Sequence, residues 1–144
     1  MTPVSVSYKR LHPAAQVPAP AHGYREDAGA DLFSIEGVSI APGATEMVST
    51  GLAIDLPPGF EAQVRPRSGM AKRGVAAFFG TIDPGYRGEL KVLLHNYRDC
   101  PAYISPGDRI AQIVVAPYSA VEWLEEAELT SSARGTGGFG SSGR

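Results

Sequence analysis

Apolar and polar positions along the chain fall into short β-type runs: residues 4–11, 39–40, 46–56, 60–65, 88–95, 102–104 and 109–117. Turn signals separate them. Pro42-Gly43, Pro57-Pro58-Gly59, Pro84-Gly85 and Pro106-Gly107 each stop regular structure for a dihedral reason, and Pro18, Pro20 and Gly23 interrupt the chain early. Strands this short at this spacing predict an all-β sandwich or barrel. Helix potential is confined to 68–73 and 121–129, and the glutamates of the second stretch suit a solvated edge strand equally well.

Composition agrees. The 144 residues suffice for one core and not for two ordinary domains. Seventeen glycines and twelve prolines argue against a helix bundle. The formal charge of −2 supplies no basic field for nucleic acid or an anionic membrane, so any anion has to be bound locally. Ten of the thirteen basic residues are arginine, whose planar fork suits phosphate. The single cysteine, Cys100, excludes an internal disulfide or a multi-cysteine zinc site and fits a reducing cytoplasm. No signal-peptide pattern opens the chain, and no apolar run is long enough to span a bilayer.

Residues 131–144 differ from the rest: five glycines, four serines, Arg134 and Phe139, without apolar periodicity. Such a segment reads either as a flexible tail or as a loop that orders on a ligand, with exposed backbone N–H groups, hydroxyls, a guanidinium and a stacking face. The chain therefore divides into a β domain, 1–130, and this terminal segment.

Four internal segments place charge among small residues at strand ends, where loops present chemistry. Asp27-Ala28-Gly29-Ala30-Asp31 holds two carboxylates, suited to a hydrated cation or to a turn cap. Arg67-Ser68-Gly69 opens a possible helical turn facing an anion, with a Ser N-cap as the structural alternative. Gly80-Thr81-Ile82-Asp83-Pro84-Gly85-Tyr86-Arg87-Gly88-Glu89 sets a carboxylate before a tight turn and an aromatic after it; Asp83 is a proton acceptor or an Asx-turn residue. Gly107 to Gln112 offers an Asp108–Arg109 ion pair and an amide able to donate to a phosphate oxygen. No Ser-His-Asp or Cys-His set and no Walker-type run is present.

Together with the tail, and in this order, these segments resemble the five motifs of the trimeric dUTP pyrophosphatases, the dUTPases. The resemblance implies a distorted jelly-roll (β-clip) subunit in a homotrimer whose active sites are shared between subunits. It implies hydrolysis of dUTP to dUMP and pyrophosphate, which keeps uracil out of DNA and supplies dUMP for dTMP synthesis, with Mg2+ bound mainly through the phosphates. Carried over by residue, Asp31 holds magnesium-bound water, Arg67, Ser68 and Gly69 bind the phosphate chain, and Gln112 reaches the α-phosphate. Asp83 activates the attacking water and meets the 3′-hydroxyl, and Tyr86 under the deoxyribose excludes a 2′-hydroxyl. Gly80, Thr81 and Ile82 belong to the uracil-binding hairpin, and Lys91 lines the nucleotide site. Arg134 grips the γ-phosphate, Phe139 stacks on uracil, and Gly140, Ser141 and Ser142 close a lid.

One departure stands out. The run from Arg67 to Asp83 is a few residues shorter than the family pattern and lacks its Asn, with Phe78 and Phe79 nearby, which predicts altered base selectivity. Two other readings are weaker. The related dCTP deaminases need a carboxylate on the strand after the Asp-Pro-Gly turn, and Leu90-Lys91-Val92-Leu93-Leu94 has none. A nucleic-acid or interaction module, suggested by the Arg-Gly tail, is disfavoured by the charge.

Overall fold

A computed structural model describes every residue except Met1, Ala21, Arg25 and Arg144; the last residue of the expected lid is thus outside the described residues. The fold is nearly all β, as the turn spacing predicts. Among the described residues twelve strands pair antiparallel, and one helix, α1 (Ser68–Lys72), interrupts them. A five-stranded sheet has the order β2 (Ala19–Pro20), β3 (Ala30–Phe33), β12 (Arg109–Pro117), β7 (Phe60–Arg65), β9 (Gly80–Ile82). A second sheet orders β5 (Thr45–Ser49), β10 (Lys91–Asn96) and β8 (Val75–Ala77), while β1 (Ser7–Arg10) pairs β6 (Leu52–Asp55) and β4 (Val38–Ile40) pairs β11 (Ala102–Ile104).

The core follows from strand alternation. In β10, Val92, Leu94 and Asn96 point inward between Lys91, Leu93 and His95. With Leu32, Ile40, Val48, Leu52 and Ile110 they form a cluster without solvent contact, apolar apart from the amide of Asn96, each large aliphatic contributing roughly 1.5–3 kcal/mol by burial. In β12 the alternation breaks at a bulge between Arg109 and Ala111, where two residues oppose one. Ile110 and Ala111 are consequently both buried. Asn96 donates to the carbonyls of Ile40 (3.0 Å) and Cys100 (2.8 Å) and accepts the N–H of Arg98 (3.0 Å), fixing the β10–β11 connection.

Several expectations are corrected. The run 46–56 is two strands, because Gly51 takes a φ of +70° in a space already filled by Ala15 and His12, and so turns the chain. Residues 30–33, read as part of a loop, form β3 inside the largest sheet. Residues 75–77 and 80–82, absent from the predicted runs, are also strands; β8 joins β10 and β9 joins β7, so the chain changes sheets at Phe78–Phe79. Residues 121–129 form neither helix nor strand, since every one is exposed and Trp123 has 90% of its surface in solvent.

Candidate active site

Three adjacent strands gather the first group of site residues. Gln112 on β12 stands in register with Asp31 on β3 and with Arg65 on β7, so Asp31, Gln112 and the 66–69 segment that leaves β7 share one end of the sheet. Arg67 Nε donates to Asp31 Oδ1 at 2.7 Å, and Arg109 Nη1 lies 3.5 Å from Oδ2. Asp31 is 1% exposed, so two guanidinium groups offset the cost of burying its charge. Arg109 thus pairs with Asp31 and not with Asp108, whose carboxylate instead accepts the Ser105 N–H at 2.8 Å. Gln112 Nε2 donates to the Pro66 carbonyl at 2.9 Å, leaving its second hydrogen free. Gly29 makes room for that amide, since a Cβ there would collide with Gln112 Oε1.

Arg67, not Ser68, is the N-cap of α1, and it caps without a side-chain bond. Ser68 and Gly69 are exposed, and among the described residues neither their N–H groups nor the Ser68 hydroxyl has a partner. Asp27, the other carboxylate of the first segment, is a turn residue: it accepts the N–H groups of His22 (2.9 Å) and Tyr24 (3.4 Å). Its carboxyl is held below the usual 3.8, chiefly by the His22 bond.

The second group surrounds a cavity of about 610 Å³ lined by Gly80, Thr81, Ile82, Asp83, Tyr86 and Lys91. Phe78, Phe79, Met47 and Leu93 supply its apolar wall. The Asp83 carbonyl accepts the Tyr86 N–H at 3.0 Å and closes the turn, while the exposed Asp83 carboxylate makes no hydrogen bond or ion pair among the described residues. Tyr86 folds back so that its hydroxyl donates to the Glu89 carbonyl at 2.9 Å. This requires Gly88, where a Cβ would strike the Tyr86 ring. Gly88 and Glu89 closed the third segment without an assigned role, and the Arg109–Asp31 pair was missed because Asp108 is nearer in sequence.

Within one chain the two groups are apart. Ile82 is opposite Ala62 near the start of β7, whereas Arg67 follows its end. At about 3.3 Å per residue, Asp83 and Arg67 are separated by roughly 15–20 Å along the strand. The tail is a third element: Arg134 Nε donates to the Gly137 carbonyl at 2.8 Å and Phe139 is fully exposed at a φ of +53°, as are Gly140, Ser141 and Ser142.

No group of three or more His, Cys, Asp or Glu side chains able to hold a metal occurs among the described residues. The donor set fits a divalent ion carried by phosphate oxygens, with at most one carboxylate reaching it through water. Asp31 retains acceptor capacity beyond its two arginines for such a water.

The dUTPase family model matches residues 15–143. The deoxyuridine 5′-triphosphate nucleotidohydrolase of Solibacter usitatus is 52% identical over 147 residues, covering 100% of this chain and 99% of that protein. The protein of the same description from Gloeobacter violaceus is 49% identical, covering 99% of each. Among solved structures, a mutant Staphylococcus bacteriophage 80alpha dUTPase with dUpNHpp superposes with a TM-score of 0.91 at 28% identity, over 97% of this chain and 99% of that one. A mutant dUTPase of phage phi11, described with a structural Mg(II) ion, gives 0.81 at 25% identity, over 88% and 99%.

Proposed function

This chain belongs to the dUTPase family, and we propose that it hydrolyses dUTP to dUMP and pyrophosphate by in-line attack of water on the α-phosphorus. The observation that carries the reading is Asp83: an unpaired carboxylate, held by a closed turn, at a cavity with an apolar wall and one exposed strand edge. Among the described residues β9 pairs only with β7, so its outer edge offers backbone donors and acceptors to a planar base. Tyr86, locked by Gly88 and the Glu89 carbonyl, presents a fixed ring to the sugar. Asp83 takes a proton from water as its oxygen bonds to phosphorus and the bond to the pyrophosphate oxygen breaks.

The substrate is the magnesium complex of dUTP, and the ion offsets charge on the phosphates. Ser68, Gly69, Arg67 and Gln112 grip the phosphate chain, and Asp31 holds the Arg67 fork in place. Because Asp83 and Arg67 are at opposite ends of β7, one chain cannot apply both to one phosphate, which supports a homotrimer with shared sites. Arg134, Phe139 and Gly140 to Ser142 then close over the nucleotide as a lid. Among the described residues no helix is long and apolar enough to cross a membrane. The single cysteine suits a reducing compartment, and on that ground we place the protein in the cytoplasm.

Pyrophosphate release from dUTP, dCTP and dTTP, with and without magnesium, tests this reading. We expect magnesium-dependent release with dUTP preferred, and Asp83→Asn to lower turnover about 10²–10⁴-fold. Equal rates with all three nucleotides would end the claim of uracil selectivity. The sheet-crossing Phe78–Phe79 link is where any narrowing of that preference originates.

A further inference from the structure

The segment that carries Asp83 follows β9 and precedes β10, and no residue from Asp83 to Glu89 lies in a strand. Its carbonyls therefore have no ladder partner, and side chains of the same segment take that place. Arg87 Nη1 donates to the Pro84 carbonyl at 2.6 Å and to the Tyr86 carbonyl at 3.2 Å. The two carbonyls stand on either side of Gly85, which has no side chain and no heavy atom within 4 Å of where a Cβ would be. Gly85 is thus the loosest link of the turn, and Arg87 bridges it.

The other terminal nitrogen of the same guanidinium, Nη2, lies 2.6 Å from Asp55 Oδ1. Asp55 ends β6 and stands in register with Ser7 on β1, so Arg87 ties the turn to the two-stranded β1–β6 ribbon. Neither Arg87 nor Asp55 lines the cavity of about 610 Å³ that Asp83 and Tyr86 face. Both side chains are 56% exposed, and an ion pair so open to solvent adds little to the stability of the fold. Its effect is on orientation. The Tyr86 N–H and hydroxyl are taken by the Asp83 and Glu89 carbonyls, and with Arg87 on the Tyr86 carbonyl every polar group of that residue is fixed.

We propose, resting on the hydrolytic reading of Asp83, that Arg87 is a positioning residue for that carboxylate: its fork closes the turn across Gly85, anchors it to Asp55, and so aims Asp83 at the water it deprotonates. Planarity suits arginine to the task, since Nη1 and Nη2 reach separate partners at once, whereas a lysine ammonium is a single point. A displacement of about 1 Å at a reacting group can cost about 100-fold in rate, so such a brace acts on turnover more than on binding.

Steady-state pyrophosphate release from dUTP with magnesium, measured on the full chain, is the test. Arg87→Met and Arg87→Lys should each lower kcat at least about tenfold, with KM within about threefold and the melting temperature unchanged. In an Asp83→Asn background Arg87→Met should add less than about twofold, because no base is left to aim. Asp55→Ala should lower kcat severalfold and add nothing to Arg87→Met. Hydrogen exchange of the Tyr86 amide reads the brace without activity: it should quicken at least about fivefold in Arg87→Met and in Asp55→Ala, while that of Val92, buried on β10, stays as it was. A native kcat in Arg87→Lys, a tenfold loss that persists over Asp83→Asn, or unaltered Tyr86 exchange would each overturn the proposal. If the unaltered chain releases no pyrophosphate from dUTP, the hydrolytic reading fails and this role of Arg87 with it; normal release that Arg87→Met leaves untouched strikes the role of Arg87 alone.

Discussion

Asp31 and Arg67, 36 residues apart, meet at the end of the five-stranded sheet with Nε and Oδ1 separated by 2.7 Å. Their side chains are unequally buried, Asp31 at 2% exposure and Arg67 at 22%. The asymmetry predicts which partner is costlier to remove. Arg67→Met leaves a buried carboxylate facing only Arg109 at 3.5 Å and should destabilise the fold by about 3 kcal/mol. Asp31→Asn leaves two guanidiniums that water can reach, and should cost about 1–2 kcal/mol. Denaturant unfolding measures both; the opposite order would show that Asp31 is not held by this pair.

Gly88 has a backbone that alanine tolerates, so the whole penalty of Gly88→Ala should come from displacing the Tyr86 ring. The variant should raise KM for dUTP about tenfold or more, and in a Tyr86→Ala background it should add nothing. A double-mutant cycle in KM reads this coupling directly. Additive effects would mean that Gly88 acts on something other than Tyr86.

Deleting residues 131–144 should impair turnover without shifting the melting temperature, because most of this segment is exposed and none of its described residues lies in a strand. Its described hydrogen bonds are local, such as Ser141 N–H to Gly138 and Arg134 Nε to Gly137. A lowered melting temperature would show that the segment belongs to the core fold.

The same contrast explains what was legible in the sequence. Val92 and Leu94 announce a strand because burial alternates along them, and Pro-Gly pairs mark turns by dihedral preference alone. Ala30 to Phe33 escaped notice because Asp-Ala-Gly-Ala-Asp has the composition of a turn; its strand state comes from pairing with β2 and β12, a long-range event. Glu122, Glu125, Glu126 and Glu128 suggested regular structure, but an element that buries nothing has no tertiary support. In the site, local composition set Arg67, Asp83, Tyr86 and Gln112 beside turns and strand ends but left structural alternatives open, and their roles came only from the resemblance. The Arg109–Asp31 pair was not legible, because Asp108 is nearer in sequence and only the register of β3 on β12 decides between them.

Asp27 gives a pH signature. Its carboxyl is lowered from 3.8 mainly by the His22 N–H, so the charged form is favoured in the folded chain. Its contribution is therefore present above about pH 4 and lost as pH falls through the depressed folded value. Asp27→Asn should lower the melting temperature slightly at pH 7, with the difference closing below about pH 4. A difference that instead grew at low pH would contradict the assignment.

The claim on which the account turns is that Asp83 of one copy serves a phosphate chain held by another. Asp83→Asn removes the base, and Ser68→Glu sets a carboxylate where the phosphates bind, at an exposed first-turn position that tolerates it. Each alone should be nearly inactive. Unfolded together and refolded as a mixture, the two should regain magnesium-dependent pyrophosphate release at about a quarter of the native rate, since random assembly restores both halves at that fraction of sites. A mixture as inactive as its components would contradict the shared site.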